Sequence, residues 1–440
     1  MTPSKLSFLT LFIASIGVFA PAESRAQAPR FDGVTLRILS TQQPWEVETQ
    51  KRAGEFEAMT GAKVEFDLYG LSQAAQKVAV ELSSSSPAYD IVFLESTDVN
   101  RFAPSGRLEP LARYVDADKG YDLGDFIPAF TKANMVDGKL YAIPFFAATQ
   151  ILYYRGDLLK EAGFDGPPKT FKEFIAMCAK LQTPDRPCTA MRGKPSTSEN
   201  VWYWTQIFYG YGGRFVKDFP KDMTPTVDTP AALEAVDVYK TLLTQYGIPG
   251  SVSAGFDEVV VAMQQGNIAM AIEGAPLAGR ILDPKLSKVA GKLGFAVPPG
   301  GPKGVFAPFT SQGWAINAAS RNKDAAAAFL LWATGKANML DIAANSVYVS
   351  VTRQSVWDSP AFKKAHTYDY GYGSFTDTYL ATLKVSDDDY RLPFRDSRPM
   401  TDRVAVALQE AVVGRRTPQA ALDAAQKDII TMFKRDGELK

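Results

Sequence analysis

One histidine, His366, and two cysteines, Cys178 and Cys188, are all that 440 residues supply of the side chains behind most metal and nucleophile chemistry. A His/Cys metal cluster is excluded by count, since such sites take three or four of these ligands. A Ser-His-Asp triad would depend on that one imidazole, and its setting, Lys363-Lys364-Ala365-His366-Thr367, reads as polar surface. No G-x-S-x-G, H-E-x-x-H, P-loop or C-x-x-C string occurs. The acidic run Asp387-Asp388-Asp389 lacks the glycine and spaced glutamate of a calcium loop and reads as solvated chain. No excess of positive charge is present either. The 48 Lys and Arg balance 48 Asp and Glu, which argues against a nucleic-acid partner. After residue 20 no apolar run approaches the roughly 20 residues of a membrane-spanning helix.

The start of the chain carries the one long apolar run. Lys5 precedes Leu6 to Ala20, and Pro21 and small residues follow. That order predicts a secretory signal peptide over 1–26, cut after Ala26 or alternatively after Ala22. No cysteine follows the run, so no lipobox is expected and the mature protein should be free in a periplasm. In that oxidising compartment Cys178 and Cys188 can form a disulfide across the turn Thr183-Pro184-Asp185-Arg186-Pro187. Two buried free thiols are the alternative.

The mature segment alternates period-2 and period-3.6 patterns. Strands are expected at Val34–Leu39, Lys63–Leu68 and Asp90–Leu94, and helices at Glu46–Met59 and Ser72–Ser83, with Thr60-Gly61 as a stop. This β-α-β-α-β order predicts a parallel sheet flanked by helices, with any ligand at the strand ends. A low-charge stretch from Pro144 to Gln150 reads as a hinge before a strand at Ile151–Tyr154. Phe145 and Phe146 would line it, and the Pro/Gly run Val297–Pro302 marks a second crossing. Thr170 with Glu173 forms a capping box that opens a helix with Phe171, Phe174, Ile175 and Cys178 on one face.

Several strings together resemble a known family. They are Asp137-Gly138-Lys139-Leu140-Tyr141-Ala142-Ile143-Pro144, Leu152 to Phe164, Pro167-Pro168-Lys169-Thr170-Phe171-Lys172-Glu173-Phe174, Gly266 to Gly274, and Gly313-Trp314-Ala315-Ile316-Asn317. In order and spacing, from about Leu36 onward, the chain resembles the bacterial extracellular solute-binding proteins of family 1, the sugar-binding subunits of ATP-driven importers. The resemblance implies an α/β, two-lobed periplasmic binding protein fold of type II with three interlobe crossings. These fall near Pro144 to Gln150, Phe295 to Gly301 and Val347 to Arg353. The first lobe is expected over 28–146 and 300–350, and the second over 147–299 and 351–440.

Carried over by position, the family's ligand contacts imply Gln43 and Trp45 after the first strand, and Glu95 and Ser96 after the third. They also imply Asn200 and the stacking ring Trp202 at a helix start, Glu273 at a strand end, and Trp314 and Arg353. Each has a structural alternative: Trp45, Trp202 and Trp314 as core, Arg353 as a surface ion pair. Pro276 stands where the maltose-binding pattern has a tryptophan, which favours a small ligand. The expected function is capture of a small sugar or polyol for an ABC permease by a monomer without cofactor or catalytic activity. The alternatives are an anionic sugar held by Arg353, Arg395 or Arg398, and a glycosidase using Glu95 and Glu273.

Overall fold

The structure, a computed structural model, describes residues 29–84, 87–387 and 392–439. The expected signal peptide and the pair Asp388 and Asp389 lie outside the described residues. The first described strands and helices follow the alternation read from the sequence. They are β1 (Thr35–Thr41), α1 (Pro44–Thr60), β2 (Lys63–Tyr69), α2 (Leu71–Ser83) and β3 (Ile91–Glu95). Helix α1 begins two residues before the periodic pattern because Pro44 sits in its first turn, where a missing N–H costs nothing. It ends at Gly61, whose φ of 78° is left-handed and whose N–H donates to Glu57 O at 2.8 Å. Strand β1 pairs in parallel with β2 on one side and β3 on the other. All five residues of β3 are buried, as a strand covered on both faces requires.

Beyond α3 (Ser96–Phe102), the strand β4 (Ala142–Arg155) runs for 14 residues, about 45 Å at strand rise. The hinge expected as a connecting segment before a short strand is therefore one unbroken strand. Its partner changes midway. Residues up to Thr149 pair antiparallel with Ala307–Ile316, whereas Gln150–Tyr154 pair with Met270–Gly274 and Leu152–Arg155 with Leu293–Ala296. Continuing along the chain come α4 (Phe171–Leu181), α5 (Glu199–Gly210), α6 (Phe256–Gln264), β5 (Met270–Gly274), β6 (Leu293–Ala296), β7 (Ala307–Ile316), α7 (Ser397–Val412) and α8 (Pro418–Asp436). The sheet order is β6-β4-β7-β3-β1-β2, with β5 also on β4.

Two large apolar cores lie on this frame. One gathers Leu36, Phe56, Phe93, Ile143, Trp314 and Phe329. The other gathers Phe171, Phe174, Trp204, Phe208, Leu408 and Ile429 from α4, α5, α7 and α8. In α4, Thr170 Oγ1 accepts from Glu173 N at 3.1 Å, while the Glu173 carboxylate reaches back to Lys169 N at 2.7 Å, one residue earlier than a regular capping box. Cys178 on this helix is bridged to Cys188, their Cα atoms 5.1 Å apart. The intervening turn closes through reciprocal backbone bonds between Thr183 and Arg186, which sets aside the free-thiol alternative.

His366 corrects the surface reading of its neighbourhood. It ends the helix Pro360–His366, is 2% exposed, and places Nδ1 3.0 Å from Tyr368 Oη with Nε2 on Ala343 O. The two lysines before it point the charge outward while the imidazole turns in, and burial lowers its pKa.

Candidate functional site

The ends of β1, β3 and β5 and the starts of α5 and α6 surround a cavity of about 620 Å³. This is the strand-end position where open α/β sheets bind ligands. From the β1–α1 connection come Gln42, Gln43, Pro44 and Trp45; from β3, Glu95; from β4, Phe146 and Ala148. Facing them are Arg192, Glu199 and Trp202, then Phe256, Asp257, Pro276 and Arg280, with Thr310 and Gln312 of β7 and residues 347–350 closing the wall.

Aromatic packing fixes one side. Trp45 stacks on Phe145, with centroids 6.0 Å apart and planes 7° from parallel, and tilts against Tyr348 at 5.2 Å. Gln43 Nε2 donates to Gln312 Oε1 at 3.4 Å, joining α1's approach to β7. Behind this wall the Glu46 carboxyl is wholly buried. It accepts from Ser40 Oγ at 3.3 Å and from Thr41 Oγ1, and burial pushes its pKa up to about 8 despite those bonds.

Ion pairs organise the opposite side. Arg192 Nε donates to Glu273 Oε2 at 2.9 Å, and its Nη2 meets Oε1 of the same carboxylate. Its Nη1 stands 3.7 Å from Glu199 Oε2. Burial works against charge on this guanidinium, but Glu273 outweighs it and its pKa is raised. For Glu199 burial prevails over Arg192 and Lys194, and its pKa is raised. Arg280 pairs with Asp257 at 2.7 Å, and the guanidinium carbons of Arg192 and Arg280 each lie 5.5 Å from the Phe256 ring. Arg398, in the first turn of α7, meets Glu95 at 2.5 Å.

Of the nine residues expected in the site, Gln43, Trp45, Glu95 and Trp202 line this cavity. The other five do not, each for a physical reason. Ser96 opens α3 half-buried, outside the lining. Asn200 is buried and its Nδ2 donates to Ala405 O at 2.8 Å, tying α5 to α7. Glu273 sits one layer back, fully buried, receiving Arg192, Tyr203 Oη at 2.9 Å and Gly274 N at 2.6 Å. Trp314 is core: its Nε1 donates to Ser40 Oγ at 2.8 Å, and its ring packs on Phe145 and Phe329.

Arg353 is core as well, 0% exposed, and not the surface ion pair weighed as its alternative. It bonds to the carbonyls of Thr334, Asp122 and Tyr121 at 2.8–3.0 Å and to Asp125 at 3.1 Å, beneath the Phe126 ring at 4.1 Å.

Missed by the sequence reading were Arg192, Glu199, Phe256, Arg280 and Gln312. Glu199 stood beside the chosen Asn200, and the helical register decides between them: one residue of rotation turns Asn200 toward α7 and Glu199 toward the cavity. Gln312, a long polar side chain in an uncharged strand buried along its whole length, was a legible polar signal. Arg192 and Arg280 lie in irregular chain or a one-turn helix and left no periodic mark.

Among the described residues, no group of three or more His, Cys, Asp or Glu is placed to hold a metal ion, and no helix is long and apolar enough to cross a membrane.

The family described as bacterial extracellular solute-binding protein matches residues 40–340. The mannitol-binding protein of Pseudomonas aeruginosa is 29% identical over 381 residues, covering 82% of this chain and 84% of that protein. Among solved structures, the ABC transporter solute-binding protein of Agrobacterium radiobacter K84 in complex with ribitol superposes with a TM-score of 0.82. It is 25% identical, over 92% of this chain and 100% of the other. That of Agrobacterium vitis S4 with bound D-mannitol gives 0.82 and 26%, over 92% and 99%.

Proposed function

The chain belongs to the bacterial extracellular solute-binding proteins, and on that premise we propose that it captures a small polyol or sugar in the periplasm for an ABC importer. It is a binding protein and not an enzyme, with the α/β periplasmic binding protein fold. The observation that carries the ligand reading is that each cation at the cavity is already matched by carboxylate. Arg192 faces Glu273 and Glu199, Arg280 faces Asp257, and Arg398 faces Glu95 and Asp98. A cavity so neutralised, walled by Trp45, Phe146, Trp202 and Phe256, suits a neutral ligand with many hydroxyls and an apolar face. Gln43, Trp45, Glu95 and Trp202 would contact it directly.

The same observation weighs against the alternatives. An anionic sugar would need free guanidinium groups, yet Arg353 is core and Arg395 bonds to Asp396 and to Asp436 O. A glycosidase would need two carboxylates on the ligand, and Glu273 is behind Arg192. Pro276 in the lining, without a second stacking ring there, favours a short ligand over a long oligosaccharide.

In this reading the chain is secreted by residues 1–26 and folds as two lobes, 28–146 with 300–350 and 147–299 with 351–440. Three crossings near 144–150, 295–301 and 347–353 act as the hinge, and the closed monomer presents itself to the permease. A thermal-melting screen tests the ligand class. D-mannitol, ribitol or erythritol at a hundred times its dissociation constant should stabilise the protein by about 2.7 kcal/mol. Stabilisation by mannitol 1-phosphate alone would overturn the neutral-ligand reading.

A further inference from the structure

We infer that Arg192 and Glu199 form a donor–acceptor pair for two adjacent hydroxyls of the ligand, with Glu273 as the residue that positions the guanidinium. The inference rests on the polyol reading above and names the chemistry of its recognition.

Both side chains line the cavity, at 14% and 8% exposure, where water competes little for their hydrogen bonds. A guanidinium has five N–H groups. Glu273 takes Nε and one side of Nη2, which leaves the Nη1 face and the outer Nη2 hydrogen. Glu199 in turn accepts from Phe256 N at 3.2 Å through Oε2, while its nearest cation contacts are 3.7 Å and 4.0 Å, beyond hydrogen-bond length. Unspent donors and unspent acceptor lone pairs therefore stand side by side on the cavity wall. Arg192 Nη1 and Glu199 Oε2 stand 3.7 Å apart, near enough for hydroxyls on neighbouring carbons to reach both, and a hydroxyl both accepts and donates. One hydroxyl can accept from Arg192 while the next donates to Glu199.

The fork cannot turn away from this duty. Glu273 is fully buried, and Tyr203 Oη and Gly274 N hold its own oxygens at 2.9 and 2.6 Å. Arg192 and Lys194 are matched in charge by Glu273 and Glu199, so an anionic group placed there finds no unmatched cation and a carboxylate beside it. The trio thus selects for a neutral diol on both counts.

The test is calorimetric titration of the full protein with D-mannitol, ribitol and erythritol, alongside thermal melting. Glu199→Gln keeps an acceptor for Phe256 N but removes the charge. It should weaken the bound polyol about ten- to a hundredfold while leaving the melting temperature of the free protein nearly unchanged. It should also raise the affinity for mannitol 1-phosphate relative to D-mannitol. Arg192→Lys, which loses the planar fork, should weaken the polyol to a similar degree, and it decides the matter if Glu199→Gln does not fold. Wild-type protein that binds a polyol no better than either folded variant overturns this inference and leaves the functional reading standing. Wild-type protein that binds none of the three polyols overturns both.

Discussion

Glu95 and Arg398 meet at 2.5 Å beside the cavity, tying the end of β3 to the first turn of α7. Strand β3 contributes Phe93 to one core, and α7 contributes Met400 to the other. The contact therefore joins the two cores by charge rather than by apolar packing. Asp98 Oδ1 lies 3.7 Å from the same guanidinium, so one cation serves two carboxylates.

Arg398→Ala leaves both carboxylates facing each other without that cation. Closure around ligand should weaken, with affinity for the bound polyol lower by about tenfold, the worth of one charge-assisted hydrogen bond. X-ray scattering at ligand saturation should give a larger radius of gyration than wild type. An unchanged affinity and profile would show that the contact carries no closing energy.

Trp202 is at once core and wall. It is 6% exposed, belongs to the α5 core, lines the cavity, and its carbonyl accepts from Gln150 Nε2 at 3.1 Å where β4 changes partner. Stacking ring and core are alternatives for Trp202 in the sequence, but one face of a large indole can serve each. Trp202→Ala should therefore cost about 3–5 kcal/mol of stability and also weaken the polyol by about 1–3 kcal/mol, taking aromatic stacking on flat rings as the upper guide. Denaturant melts and titration of the same preparation separate the two losses. Full affinity in the folded fraction would remove the ring from the site.

The first five elements of the fold were legible because their hydrophobic periods alternate and Gly61 closes α1, although Pro44 starts that helix two residues before its pattern. The partner change in β4 was not. Its residues up to Tyr154 are uncharged because nearly all of them are buried, and a buried strand and a low-charge linker look alike in composition. Site residues were legible where the chain leaves a strand end, as at Gln43, Trp45 and Glu95. They were illegible where a charge partner decides the outcome. Glu273 needed a partner, as any buried carboxylate does, but Arg192 lies 81 residues earlier and no local pattern links them. His366 shows the converse: lysines that lie outward on a short helix disguised a buried ring.

Glu46 gives stability a pH dependence. Its folded pKa of about 8 stands above the ordinary 4.5, so the native state holds a proton that the unfolded chain has released. Stability is then greatest below the unfolded value and falls as pH rises from about 4.5 to about 8. Glu46→Gln removes the titration. The variant should match wild type near the acidic end and exceed it near pH 8 by a few kcal/mol, on the order set by the pKa difference. Urea midpoints measured at the two ends provide the check, and parallel pH profiles for the two proteins would exclude a buried proton at Glu46.

Arg353 offers the sharpest separation of fold from binding. Its guanidinium is buried, spends its N–H groups on three carbonyls and Asp125, and lies between the rings of Phe126 and Tyr121. Removing it leaves those carbonyls and a carboxylate without their donor in the interior, a loss of about 3–5 kcal/mol for a broken buried pair. Asp125 would suffer with it. Burial raises its pKa, but bonds from Ser355 and Arg353 overcome this and hold it below the ordinary value. The stabilising part of that pair is present at neutral pH and lost as pH falls through the lowered pKa. Arg353→Ala should therefore melt far below wild type while its folded fraction binds ligand normally. Arg353→Lys should recover little, because an ammonium cannot reach three carbonyls set out for a planar fork. A variant that melts normally yet no longer binds the ligand would return Arg353 to the site.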